Sequence, residues 1–183
     1  SVFLAFRIFD PATKARSEAS QQRGLADWKA ILKAKLEDGV TIRFLLTDFE
    51  PTVAHGLHAG SWETFRALRE VSDELPEEQR ERFEIIVAQH PGELGWALRQ
   101  LLRLPMGVML RRLFRKFAEE QQGADIESMM ELRPGLWRYH RISGGQVKFR
   151  RGPAPRMWPS THHHKFAVID GDVAVIGGLD VNE

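Results

Sequence analysis

Three short apolar runs, residues 2–9, 41–49 and 83–88, are separated by two stretches whose apolar residues recur at helical spacing, and this alternation leaves few folds open. In residues 25–36 the apolar side chains are Leu25, Trp28, Ile31, Leu32 and Leu36, the stripe of a helix with one buried face. Gly39 follows closely enough to cap it. In residues 61–75 Trp62, Phe65, Leu68 and Val71 repeat the stripe, with Ser61 and Thr64 suited to the helix start. Strand, helix, strand with short joins predicts parallel strands linked by right-handed crossovers. The expected class is α/β, with a mixed, partly parallel sheet flanked by helices. Residues 11–23, polar and small behind the turn-forming Asp10-Pro11, read as a loop.

Composition narrows the function more than the fold. The 26 basic and 25 acidic side chains of the 183 residues leave a net charge of +1, which excludes the overall polycation signature of a dedicated nucleic-acid binder but not a local basic patch. With no cysteine there is no disulfide scaffold, thiol nucleophile or cysteine-ligated zinc. A charged fraction of 28% between apolar runs excludes wholesale disorder, and no apolar stretch approaches the roughly 18 residues of a membrane span. Ser1 leads straight into a strand-like run, and the chain stops at Glu183 directly behind another. The expectation is one half-domain over residues 1–183, a segment of a longer protein cut at both ends.

Residues 93–135 break the rhythm and predict a helical insertion. Leu94, Leu98, Leu101 and Leu102 share a helical face until Pro105, which is expected to interrupt it. Met106, Met109, Leu110, Leu113, Phe114 and Phe117 then form a second stripe, with Arg111, Arg112, Arg115 and Lys116 on the other side. Those four cations suit either a solvated helix face or an anionic membrane surface. Residues 123–135 read as an acidic connector. Residues 136–142 and 146–149, around Ser143-Gly144-Gly145, read as a hairpin. His55-x-x-His58, between glycines, reads as a surface loop rather than a metal pair.

The chemistry is concentrated in residues 161–183, THHHKFAVIDGDVAVIGGLDVNE. Residues 166–169 and 173–176 are apolar strands joined by Asp170-Gly171. In an extended strand His163 and Lys165 point one way, His162 and His164 the other. An imidazole beside an ammonium at a strand start fits a core poorly but suits an anionic ligand, the lysine neutralising oxygen charge and the histidine attacking or moving a proton. Singly, each residue has a plainer reading: Asp170 as a turn residue, Gly177-Gly178 as a bend. Only His162 and His164 share a face as metal ligands, and no acidic third ligand stands near, so no metal is expected.

Together, His163-x-Lys165-x4-Asp170 followed by Gly177-Gly178-x-Asp180 resembles the HKD motif of the phospholipase D superfamily, in the form of the first motif of bacterial two-motif members. Residues 2–11, the helix after them and residues 39–51 are similar to the family's opening strand, helix and strand. Many members carry Ser and Asn where this chain has Gly178 and Asp180. The resemblance implies a phospholipase D-like fold and a phosphodiesterase needing no cofactor or metal. One motif histidine would become a covalent phosphohistidine, and that of a second motif would protonate the leaving alcohol. His163 would then be the nucleophile or the acid, with the first-motif position favouring the nucleophile. Lys165 would hold phosphate oxygens, Asp170 would support the site by hydrogen bonds, and Gly178 and Asp180 would border the phosphate. The second motif would come from another half of the same chain or from a second subunit. Phospholipid hydrolysis or transphosphatidylation is the leading activity, with peripheral membrane contact suggested by residues 106–117 and by Trp137, Tyr139 and Trp158. The alternatives are a cardiolipin-synthase-like transferase, a superfamily nuclease tracking nucleic acid with Arg150, Arg151 and Arg156, and a non-catalytic scaffold.

Overall fold

A computed structural model of the chain describes residues 1–120, 130–131, 133–143, 146–150 and 152–182. Its elements run β1 (Val2–Phe6), α1 (Glu18–Gln22), α2 (Trp28–Glu37), β2 (Ile42–Thr47), α3 (His55–Asp73), α4 (Glu77–Arg80), β3 (Phe83–Ala88) and α5 (Trp96–Glu120). A 3-10 turn at Pro134–Arg138 follows, then β4 (His140–Ser143), β5 (Gln146–Phe149), β6 (Lys165–Ile169) and β7 (Val173–Ile176). These elements fall into two compact units. The first comprises Ser1–Asp48, Gly60–Ala88 and Thr161–Glu183, the second Phe49–Ala59 and Gln89–Ser160.

The first unit is α/β, built on a sheet of order β3-β2-β1-β6-β7. β1, β2 and β3 are parallel neighbours, as the strand–helix–strand rhythm predicts. β6 lies antiparallel to β1, with Phe6 opposite Lys165, and β7 antiparallel to β6. The strand period of two decides what is buried. Ile42, Phe44 and Leu46 of β2 enter a core shared with Leu4, Phe9, Leu32, Leu36, Leu68 and Val71, so the apolar stripes of α2 and α3 cover that face. Arg43 points the other way and pairs across the ladder with Glu84, Nε to Oε2 at 3.2 Å.

Helix α2 shows how local sequence sets an element's ends. Asp27 caps it, its carboxylate accepting from the Ala30 N–H at 2.8 Å. At the other end Gly39 takes φ of 84°. The Gly39 N–H donates to the Leu36 carbonyl and that of Val40 to the Lys35 carbonyl, the paired bonds of a Schellman stop. A Cβ on Gly39 would come within 2.9 Å of Arg82 Nη1.

Four expectations need correction. Residues 11–23 are not wholly loop, because Ser17 caps the short α1 by accepting from the Ser20 N–H. α3 begins at His55, not near Ser61, so His55-x-x-His58 is its first turn and His58 is buried, not a surface loop. Tertiary burial there overrides the poor helix propensity of Gly56 and Gly60. Pro105 does not interrupt α5. It stands on the exposed side of the helix, where water can bond the Leu101 carbonyl that proline leaves unserved. Residues 136–138 belong to the 3-10 turn opened by Pro134, so strand pairing starts only at His140.

The second unit has its own core of Met106, Leu110, Met130, Leu136, Tyr139 and Met157, with Leu102, Leu113 and Phe114 packed against it. Met109, expected on the buried stripe, is exposed. The Phe117 side chain, most of the acidic connector, the Gly144-Gly145 turn and Arg151 lie outside the described residues.

Candidate functional site

β6 and the segment that leads into it bring the histidine–lysine pair to one rim of the sheet: Lys165 opens the strand and His163 stands two residues before it. Because β6 is antiparallel to β1, its first residue, Lys165, stands opposite Phe6 at the carboxyl end of β1, which is level with Leu46 of β2. Ligands of open α/β sheets commonly lie outside the carboxyl ends of the parallel strands. The strand approach is fastened there as well. The Thr47 hydroxyl donates to the His162 carbonyl at 3.0 Å, and the Ser61 hydroxyl donates to the Thr47 carbonyl at 2.8 Å.

At this rim the Lys165 side chain is only 4% exposed, whereas His163 is exposed. The Lys165 ammonium is 3.3 Å from both ring nitrogens of His163, so it does not single out one of them. An ammonium has only donors, so whichever nitrogen it meets accepts. The same ammonium lies 3.7 Å from Asp180 Oδ1, which also accepts from the Ile8 N–H at 3.0 Å. A buried cation requires such a neighbour. The segment bearing Asp180 runs parallel to the chain that leaves β1: Gly177 N–H donates to the Lys165 carbonyl at 2.9 Å, Asp10 N–H to the Val181 carbonyl at 2.7 Å, and Phe9 bridges Val181. The Gly177-Gly178 pair therefore lies where the chain leaves β7 at this rim and passes the start of β6, and nothing lies within 4 Å of where a Gly178 Cβ would stand.

His163, Lys165 and Asp180 are thus brought together. Asp170 is not. It sits at the opposite end of β6, about 16 Å away at the rise of an extended strand. There it forms the hairpin turn with Gly171, at φ of 50° and 78°, while the Asp172 N–H donates to the Ile169 carbonyl. Its carboxylate meets the backbone nitrogen of Ser1. His162 and His164 stack on each other with ring centroids 5.6 Å apart. Among the described residues no group of three His, Cys, Asp or Glu side chains converges as a metal site.

Sequence reasoning did not name Thr47, and it read Ser61 only as a helix-start residue. Thr47 ends an apolar strand, where a hydroxyl carries no signal of a partner 115 residues away. In the second unit it also passed over Glu50. That carboxylate is buried and accepts from the Tyr139 hydroxyl at 2.9 Å, the Trp158 N–H at 3.0 Å and the Thr52 hydroxyl at 3.1 Å. Burial beside Glu50 pushes the Tyr139 phenol well above its usual range. Tyr139 is therefore a core residue and not an interfacial one. Trp158 is held between Arg138 and Arg156, whose guanidinium carbons lie 4.9 and 5.2 Å from its ring centroid. Arg156 also binds Glu93 through two donors, and Arg150 donates to the carbonyls of Trp137 and His140.

Set against protein families and curated proteins, the sequence matches no family model and no curated relative.

Proposed function

We propose that this chain supplies one half of a phospholipase D-type phosphodiesterase site, acting on phospholipids. The observation that carries the reading is the exposed His163 imidazole held against the buried Lys165 ammonium at the carboxyl rim of β1 and β2. The HKD spacing is a second support. In the mechanism, a ring nitrogen of His163 attacks phosphorus and the bond from phosphorus to the leaving alcohol oxygen breaks. That oxygen departs with the electron pair and takes its proton from a second histidine, supplied by another segment or subunit. Water, or another alcohol in transphosphatidylation, then gives its proton to that second histidine, attacks phosphorus and breaks the phosphorus–nitrogen bond, whose electron pair returns to His163. The Lys165 ammonium neutralises the non-bridging oxygens, and its burial limits the screening of that interaction by water. Asp180 positions Lys165, and Asp170 shapes the hairpin without reaching the phosphate.

The division of labour between two histidines gives the test. A nitrophenyl phosphodiester needs no acid, because nitrophenolate leaves unprotonated. Residues 1–183 are expected to release at most one nitrophenolate per chain from nitrophenyl phosphocholine in the presence of EDTA, with the phosphoryl group found on His163 by mass spectrometry. Phosphatidylcholine itself should not be turned over by this half alone. Absence of any His163 adduct, or multiple turnovers of phosphatidylcholine by the isolated chain, would defeat the proposal.

A further inference from the structure

We infer that the solvent face of α5 is a docking surface for an anionic phospholipid bilayer, lying in the interface rather than crossing it. The buried side of α5 is accounted for by Met106 and Leu110 in the core of the second unit, with Leu102 and Leu113 beside them. Its opposite side should be polar if it met only water. Instead Leu98, Leu101, Leu104, Val108 and Met109 are exposed there, Leu101 by 73% and Leu104 by 81%. Trp96, 67% exposed, stands at the start of the same helix. At 100° per residue these five side chains occupy one continuous arc, about 16 Å long at the rise of an α-helix.

The same arc continues into Arg111, Arg112, Arg115 and Lys116, all exposed. The outer face of α5 is therefore divided along its axis, apolar first and cationic after. No Asp or Glu occurs between Glu93 and Glu119. A second protein would need an apolar groove next to an acidic patch at this spacing. A bilayer carrying anionic headgroups offers both along its whole surface, with hydrocarbon for the leucines and phosphates for the guanidinium groups. No helix among the described residues is long and apolar enough to cross a membrane, which leaves the in-plane arrangement. This surface is argued without His163, and it stands or falls separately from the phosphodiesterase reading.

The test is co-sedimentation of the whole chain with vesicles of phosphatidylcholine alone and of phosphatidylcholine mixed with phosphatidylglycerol. Binding to the mixed vesicles is expected to be at least about tenfold stronger. Leu101→Glu with Leu104→Glu should abolish it, and Arg111→Gln with Arg112→Gln should weaken it roughly 25-fold at about a fivefold loss per cation. His163→Ala should bind as the unaltered chain does. All three variants change exposed residues, and circular dichroism checks that they remain folded. As a readout of which face inserts, brominated lipid should quench the added emission of Leu104→Trp, which stands within the arc. Equal binding to both vesicle types, or binding unaffected by the double leucine change, would overturn the inference. So would self-association abolished by Leu104→Glu without vesicle binding, which would assign the face to a second copy.

Discussion

Asp180→Ala takes away both the carboxylate 3.7 Å from the buried Lys165 ammonium and the acceptor for the Ile8 N–H. It is expected to lower stability by about 2 kcal/mol in urea denaturation, less than the full cost of an orphaned buried charge because the pair is loose. Asp180→Asn, which keeps an acceptor for Ile8, should cost less. Lys165→Met replaces the buried ammonium with an apolar chain of similar length and leaves Asp180 its bond from the Ile8 N–H, so it should still fold, at a stability cost no larger than that of Asp180→Ala, yet give no nitrophenolate burst. A pH effect belongs to His140 in the second unit, where burial pushes the imidazole down from 6.5 to about 4. Below pH ~6.5 the unfolded chain takes up a proton that the folded chain refuses, so stability should fall as pH drops from ~6.5 to ~4, by about 3 kcal/mol in all. Urea melts at neutral and mildly acidic pH should show this slope, and His140→Phe should flatten it. The closeness of His163 and Lys165 was legible in the sequence because a spacing of two is strictly local, although His163 lies just before β6 and not in it. The Lys165–Asp180 contact and the burial of His140 were not, since both depend on chain segments brought together only by the fold.

Among the elements, α2 was read nearly to its ends and α5 was not. Gly39 announced the Schellman stop, and Gly39→Ala is expected to cost about 1–2 kcal/mol through the left-handed backbone it requires, readable as a lowered melting temperature. The start was placed at Leu25, since an apolar residue at helical spacing masks the cap that follows it. The true cap is Asp27, and Asp27→Ala should cost about 1 kcal/mol. In α3 the glycines at 56 and 60 suppressed the helical signal over a stretch that burial makes helical. In α5 the proline rule failed for a reason visible only in three dimensions, namely which side of the helix Pro105 faces. The buried stripe also turned out narrower than the sequence suggested, because Leu98, Leu101 and Met109 count as apolar in the pattern yet face outward.

For the molecule as a whole, the parallel order of β1, β2 and β3 followed from two short crossovers, whose handedness is nearly invariant. The place of β6 did not: it pairs with β1 across some 160 residues, and no local pattern encodes a partner that distant. The division into two units was likewise hidden, because the second is assembled from residues 49–59 and 89–160, on either side of segments belonging to the first. Hydrogen exchange should reflect the sheet order, with amides of β1 and β2, flanked on both sides, exchanging slowest and those of β7 fastest. β7 is the outermost rung, and all four of its residues are exposed, Ile176 by 84%. Among the described residues no strand, charge or proline on β7 shields its outer edge, although natural sheets usually blunt such edges with lysine, proline or a bulge. In colloidal terms that rung is a sticky end: for residues 1–183 turbidity is expected to rise with protein concentration unless a gatekeeper such as Val175→Lys interrupts the stacking.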